Sequence, residues 1–135
     1  MAYRAFFALP VENFQTSTGQ HTNAVHGFIS MLIGLLTAEK PSHVAVAFDV
    51  GRESFRNETY PEYKATRSAS PQEFRGQVEL IKEVLDGLRI AHVELPGYEA
   101  DDIIATMATR AEAAGYEVLI STGDRDALQL VTDRT

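Results

Sequence analysis

HVAVAFD, residues 43–49, is the run on which the reading of the fold turns. Two valines and a phenylalanine with no polar alternation suit a strand buried on both faces of a parallel sheet, and the run ends on a carboxylate, Asp49. Upstream, Val25, Phe28, Ile29, Leu32, Ile33 and Leu36 recur at spacings of three and four, which predicts an amphipathic helix that stops before Pro41. Before it lie a short apolar stretch, Tyr3 to Leu9, closed by Pro10, and a polar segment from Glu12 to Thr22 that reads as a loose loop around Gly19. Downstream, residues 50–70 keep neither period, and a loop of that length in a compact domain is usually functional. Ser70-Pro71-Gln72-Glu73 then supplies a cap, a first-turn proline and a capping-box glutamate for a helix with Phe74, Val78, Ile81, Leu85 and Leu88 on one face. Ile90 to Leu95 reads as a second strand, and Pro96-Gly97 turns into a helix whose apolar positions are Ala100, Ile103, Ile104, Met107, Ala108 and Ala111, closed by Gly115. Val118 to Ile120 reads as a further buried strand, leading into Thr122 to Asp126 and a helical turn through Leu130. The alternation predicts an α/β fold with a mostly parallel sheet flanked by helices, in which ligands gather at the carboxyl ends of the strands.

The 135 residues suit one domain, and 44% hydrophobic with 23% charged residues places the chain among folded globular proteins. There is no cysteine, which excludes disulfides, thiolate metal sites and cysteine nucleophiles. No run approaches the ~18–20 apolar residues of a membrane span, and the first residues lack a signal-peptide core, so a cytoplasmic location without a membrane partner is expected. The 19 acids against 12 bases give a net charge of −7, which argues against a simple nucleic-acid coat protein.

The position of the acids matters more than their number. Asp49 follows one predicted strand, Glu99, Asp101 and Asp102 follow a second through Pro96-Gly97, and Asp124 and Asp126 follow a third. Like charges brought close together raise one another's pKa values, so such a cluster needs cations or shared protons. Oxygen-only ligation selects Mg²⁺ or Mn²⁺, and two such ions about 3.5–4 Å apart can activate a water and stabilise the leaving oxygen of a phosphodiester. Plainer readings exist for each acid, since Glu99, Asp101 and Asp102 suit a helix start and Asp124 suits a cap. They do not explain why all three groups fall at strand exits along one sheet edge.

The long loop offers a second constellation. Arg52, Arg56, Lys64, Arg67 and Arg75 are five of the 12 bases and stand among Phe55, Tyr60, Tyr63 and Phe74, a mixture suited to a single-stranded backbone and its bases. Glu53, Glu58, Glu62 and Glu73 reduce the local charge to +1, so an ordinary solvated loop is the plain alternative. The four histidines show no metal-binding spacing, and neither a Gly-x-Ser-x-Gly elbow nor a phosphate-binding Gly-x-x-x-x-Gly-Lys loop is present.

AFD (47–49), SFR-x(3)-YPEYKA-x-R (54–67), PGYEADD (96–102) and TGDRDALQL (122–130) together resemble the 5′ nuclease domain of bacterial DNA polymerase I, a relative of the flap endonucleases with a PIN-like core. YRAFFALP (3–10) and TNAVHGF (22–28) extend the resemblance over nearly the whole chain. It implies a structure-specific 5′-3′ exonuclease or flap endonuclease in replication and repair. The implied substrates are DNA with 5′ flaps or nicks and RNA primer–DNA junctions, with a fused polymerase module as a partner in the parent protein. Two Mg²⁺ or Mn²⁺ ions would be held by Asp49, Glu99, Asp101, Asp102, Asp124 and Asp126. Arg4, Arg56 and Lys64 would act at the scissile phosphate. Tyr3, Tyr60 and Tyr63, with Arg52 and Arg67, would contact DNA, and residues 50–70 would form the contacting loop.

The relatives carry an extra strand with an Asp-Gly pair where Met1 stands, and continue past the equivalent of Thr135 into a Gly-Asp-x-x-Asp-Asn element and a duplex-gripping segment. The expectation is therefore a partial domain over 1–135, incomplete at both ends, that binds metal weakly and cuts flaps poorly or not at all. A PIN-type ribonuclease, a receiver domain and a non-catalytic DNA-junction binder are the competing readings. Setting the six proposed ligands aside leaves 13 acids against 12 bases, so the net charge is essentially that of the proposed site.

Overall fold

The computed structural model describes residues 1–50 and 71–135. The sequence-predicted loop over 50–70 thus lies, apart from Val50, outside the described residues. Among these, 1–44 with 71–91 form one compact unit and 45–50 with 92–135 form another.

The first unit opens with helix α1 (Ala2–Ala8), which buries Ala5 and Phe6. It ends because Leu9 precedes a proline and is driven to extended φ −124, ψ 137. The segment from Glu12 to Thr22 is ordered, not loose. A 3-10 turn (Val11–Asn13) leads into an antiparallel bridge between Gln15 and His21. Gly19, at φ +86, supplies the reversal, and Thr16 Oγ1 accepts the Gln20 N–H at 3.1 Å. Helix α2 (Asn23–Glu39) follows and stops at Lys40, which is left-handed at φ 46, just before Pro41. Its buried seam is Ala24, Phe28 and Leu32, while Ile33, placed by periodicity on the same face, is 54% exposed. The rotation follows from packing on α1: a methyl at Gly27 would sit 3.0 Å from Ala5 Cβ, so at Gly27 the two helices approach closely.

Of the capping signal at 70–73, Ser70 lies outside the described residues, and Pro71 leads only into a 3-10 turn (Gln72–Phe74). Gly76, left-handed at φ +77, interrupts it, and helix α3 (Gln77–Gly87) starts afresh. Ile81 and Leu85 are fully buried, but Leu88 falls outside the helix and is half exposed because Arg89, at φ 57, ends it. Gln77 Oε1 accepts the N–H of Ala24 at 2.7 Å and of Val25 at 3.2 Å, which satisfies amides that the first turn of α2 cannot satisfy itself. Its amide nitrogen donates to Asn23 Oδ1 at 2.8 Å and to the Glu73 carbonyl at 2.9 Å. Asn23 Nδ2 in turn donates to the carbonyls of Phe6 and Leu9. Both side chains are fully buried, and every buried side-chain polar atom among the described residues has a partner.

In the second unit, β1 (Ala45–Ala47) pairs with β2 (Ala91–Val93) as a parallel sheet, and β2 leads through Pro96-Gly97 into a helix, which gives the α/β architecture. Phe48 N–H donates to the Val93 carbonyl at 2.9 Å, extending the pairing one residue past β1. The apolar run at 43–49 is only half covered, with Phe48 its one buried residue. Helix α4 (Ala100–Ala113) packs on β1 through a face that buries Ile103 and Ala108. The predicted strand at 118–120 does not join the sheet: Val118 N–H donates to the Arg134 carbonyl at 2.8 Å instead, and Leu119 is 62% exposed. A 3-10 helix (Arg125–Leu130) packs on α4. Beyond it, Glu112 Oε2 accepts the hydroxyls of Thr132 at 2.7 Å and Thr135 at 2.6 Å. These two bonds, aided by the Arg134 charge, hold the Glu112 carboxyl below the usual carboxylate range.

Three outcomes are expected. Gln77→Leu strands two α2 amides and the Asn23 and Glu73 oxygens, and urea titration should show a loss of ~2–4 kcal/mol. Gly34→Ala meets nothing within 4 Å and should stabilise α2 by ~0.5–1 kcal/mol, whereas Gly27→Ala on the same helix should destabilise, because the contact with Ala5 outweighs the propensity gain. Paired melting curves of opposite sign check this. Because the Glu112 pKa is depressed on folding, its contribution is present above the unfolded-state value of ~4.3 and is lost as pH falls through the folded value. Protection of the Val118 amide, corrected for intrinsic exchange, should hold from about pH 7 to 5 and be lost only as the pH falls through the lowered folded value.

Candidate metal centre

Three segments of the second unit carry the six sequence-predicted carboxylates. Asp49 follows Phe48, whose backbone is pinned to β2 and whose buried ring meets His92 edge-on at 6.1 Å. With Phe48 fixed, exposed Asp49 reaches forward, and its Oδ1 accepts the Ala100 N–H at 2.7 Å. Ala100 is the first residue of α4, so this amide has no partner within its own helix. One hydrogen bond therefore carries the end of β1 to the first turn of α4, where Asp101 and Asp102 stand and which Glu99 caps.

Within that turn Asp102 Oδ2 accepts the Glu99 N–H at 3.0 Å, the returning arm of a capping box. The capping explanation that the sequence offers for these acids is thus physically present. It is compatible with cation binding, since a carboxylate has about four lone-pair sites and one bond uses only part of that capacity. The third segment is a polar turn. Asp124 N–H donates to Thr122 Oγ1 at 3.1 Å, and Asp124 Oδ1 accepts the Asp126 N–H at 3.0 Å, so Asp124 caps the 3-10 helix that Asp126 helps begin. Among the described residues no three Asp, Glu or His side chains converge as a ready-made metal cage. The donor chemistry nonetheless suits a hard cation, being all carboxylate oxygen with the nearby His92 engaged against Phe48.

The remaining sequence-predicted residues divide in two. Tyr3 and Arg4 lie on α1 in the first unit, both exposed. The Tyr3 ring packs edge-on against Phe7 at 5.0 Å and Phe74 at 5.4 Å, which holds it in one orientation. Arg52, Arg56, Tyr60, Tyr63, Lys64 and Arg67 lie outside the described residues. Sequence reasoning does not single out Asn23, Gln77 or Glu112. The first two are 54 positions apart and bear no mark of each other, and Glu112 reads as one more solvated helix charge.

A family described as the 5'-3' exonuclease, N-terminal resolvase-like domain matches residues 1–135. DNA polymerase I of Mycobacterium bovis is 61% identical over 133 residues, covering 98% of this chain and 15% of that protein. DNA polymerase I of Bacillus subtilis is 50% identical over 135 residues, covering all of this chain and again 15% of the relative. The chain thus spans about 15% of the length of these curated relatives. Among solved structures, that of T5 5'-exonuclease with bound divalent metal ions (zinc) superposes with a TM-score of 0.61 at 24% identity, over 81% of this chain and 44% of that one, a likeness of fold. The match over residues 1–135 shows that the chain belongs to the 5'-3' exonuclease, N-terminal resolvase-like domain family.

Proposed function

We propose that the chain is the cation-binding part of a structure-specific 5′-3′ exonuclease or flap endonuclease that hydrolyses phosphodiesters in DNA during replication and repair. The observation that carries this reading is the bond from Asp49 Oδ1 to the Ala100 N–H, which joins the carboxylate at the end of β1 to the acidic first turn of α4. The family, the DNA polymerase I relatives and the divalent metal bound by the T5 5'-exonuclease support it.

Asp49, Glu99, Asp101, Asp102, Asp124 and Asp126 would hold Mg²⁺ or Mn²⁺, two ions on the family pattern. Held there, a divalent cation would supply Lewis acidity for phosphodiester hydrolysis. The rest falls to the chain's own groups. Arg4, Arg56 and Lys64 would offset charge developing on the phosphoryl oxygens. Tyr3, held by Phe7 and Phe74, offers a fixed ring face for an unstacked terminal base, and Tyr60 and Tyr63 offer two more. Arg52 and Arg67 would follow the backbone. The substrates on this reading are 5′ flaps, nicks and RNA primer–DNA junctions, presented beside a polymerase module in the parent protein. No described helix is long and apolar enough to cross a membrane.

Mn²⁺ titration followed by electron paramagnetic resonance, with a 5′-labelled flap duplex as substrate, tests the reading. The expected outcome is saturable Mn²⁺ binding that Asp101→Asn weakens by ~10–100-fold, and slow flap cleavage that EDTA abolishes. Absence of binding, or binding untouched by Asp101→Asn, overturns the cation site. Preferential cutting of single-stranded RNA would instead assign a PIN-type ribonuclease, and flap binding in EDTA without any cutting in Mg²⁺ a junction binder.

A further inference from the structure

We propose that Glu112, acting through the hydroxyls of Thr132 and Thr135, is a positioning residue that sets the Thr122–Asp126 turn for cation binding by Asp124 and Asp126. This rests on the metal-dependent reading above and adds to it a residue that makes no contact with the cation.

Glu112 stands in the last turn of α4, and its Oε2 receives both hydroxyls, at 2.7 and 2.6 Å. The Thr132 hydroxyl is committed in both senses. Its oxygen accepts the N–H groups of Arg134 and Thr135, each at 3.1 Å, so its proton is directed to the carboxylate. The Arg134 guanidinium donates to the Gly115 carbonyl just past α4, and the Arg134 carbonyl accepts the Val118 N–H at 2.8 Å. The strand of chain that enters the acidic turn, at Val118, is therefore tied to the strand that leaves it, at Arg134, and both are anchored to the end of one helix.

Between these two feet lie Thr122, Asp124 and Asp126, joined by the Asp124 and Asp126 amide bonds described above. Fixing both ends of a loop removes conformations from its tip, and the shorter the free path the stronger the restriction. A site that must hold two carboxylates close before the cation arrives gains from that restriction, because their repulsion otherwise drives them apart. Useful ligand geometry tolerates only ~0.5 Å of error, a tighter limit than an untethered surface turn can guarantee. Glu112 is suited to the task because an ionised carboxylate accepts hydroxyl protons in charge-assisted bonds. It spends its charge on the tie.

Mn²⁺ binding by the 135-residue chain, read by electron paramagnetic resonance, tests the assignment. Thr132→Val with Thr135→Val removes both hydroxyls and keeps the side-chain shape, whereas Thr132→Ser with Thr135→Ser keeps the hydroxyls. The valine pair should bind Mn²⁺ ~10-fold more weakly and lose protection at the Val118 amide, with the serine pair within about twofold of the parent. Should the valine pair not fold, Glu112→Gln decides, with an expected loss of about threefold. Asp124→Asn serves as the control for the site. If Asp124→Asn weakens binding and neither the valine pair nor Glu112→Gln does, the positioning role is overturned and the cation site stands. If Asp124→Asn changes nothing, the cation reading of this turn fails and the positioning role with it.

Discussion

The first unit depends on a side-chain amide that serves as a helix cap from a distant part of the chain. Gln77 Oε1 takes the first free amides of α2, its nitrogen holds Asn23 and the 3-10 turn before α3, and Asn23 passes the connection on to the carbonyls that end α1. Three helices and a turn thus meet at two buried polar residues. A fully buried amide pair is a liability unless every group is matched. Here both nitrogens of the pair use both protons, so the network specifies where the helices sit and Ile81, Leu85, Phe28 and Leu32 supply the apolar burial around it.

The second unit repeats the device with a charged group. Asp49 takes the first amide of α4 from the end of β1, as Gln77 takes those of α2. A carboxylate at a helix start gains from the dipole and from charge-assisted bonding. The same arrangement places Asp49 beside the helix turn that carries Asp101 and Asp102. On the proposed function, capping and cation binding would be successive uses of one feature: the Ala100 amide draws Asp49 to the first turn of α4, and the proposed ion would bind there. The role proposed for the tie from Glu112 to Thr132 and Thr135 would extend that preparation to the third acidic segment.

Periodicity along the sequence locates α2, α3 and α4, though not α1, and does not fix which of their residues are buried. Residues 23–39 and 100–113 are helices as their spacings require, and Lys40 and Gly115 end them, the first beside Pro41. Ile33 and Leu88 match a helical face yet stand exposed, because the close approach of Gly27 to Ala5 rotates one helix and left-handed Arg89 cuts the other short. Val118 to Ile120 has strand composition, but its backbone bonds to Arg134, and composition carries no information about which partner will be nearby. The acidic residues of the candidate site can be named from motif and spacing because metal chemistry fixes residue type. Glu112 and Gln77 cannot, since Glu and Gln of ordinary helical sequence become distinctive only once their partners are in place.

The sequence by itself determined the alternation of helix and strand from Asn23 to Ala113, the absence of any cysteine chemistry, the three acidic segments and the family they mark. Those follow from local backbone preference and from the identity of side chains, which the chain carries at every position. Only the tertiary structure decided that Gln77 caps α2, that Asp49 caps α4 and that Glu112 holds the exit of the acidic turn. Each joins groups about 20 to 50 residues apart, and a hydrogen bond needs its two atoms within about 3 Å, a condition that no pattern along the chain encodes.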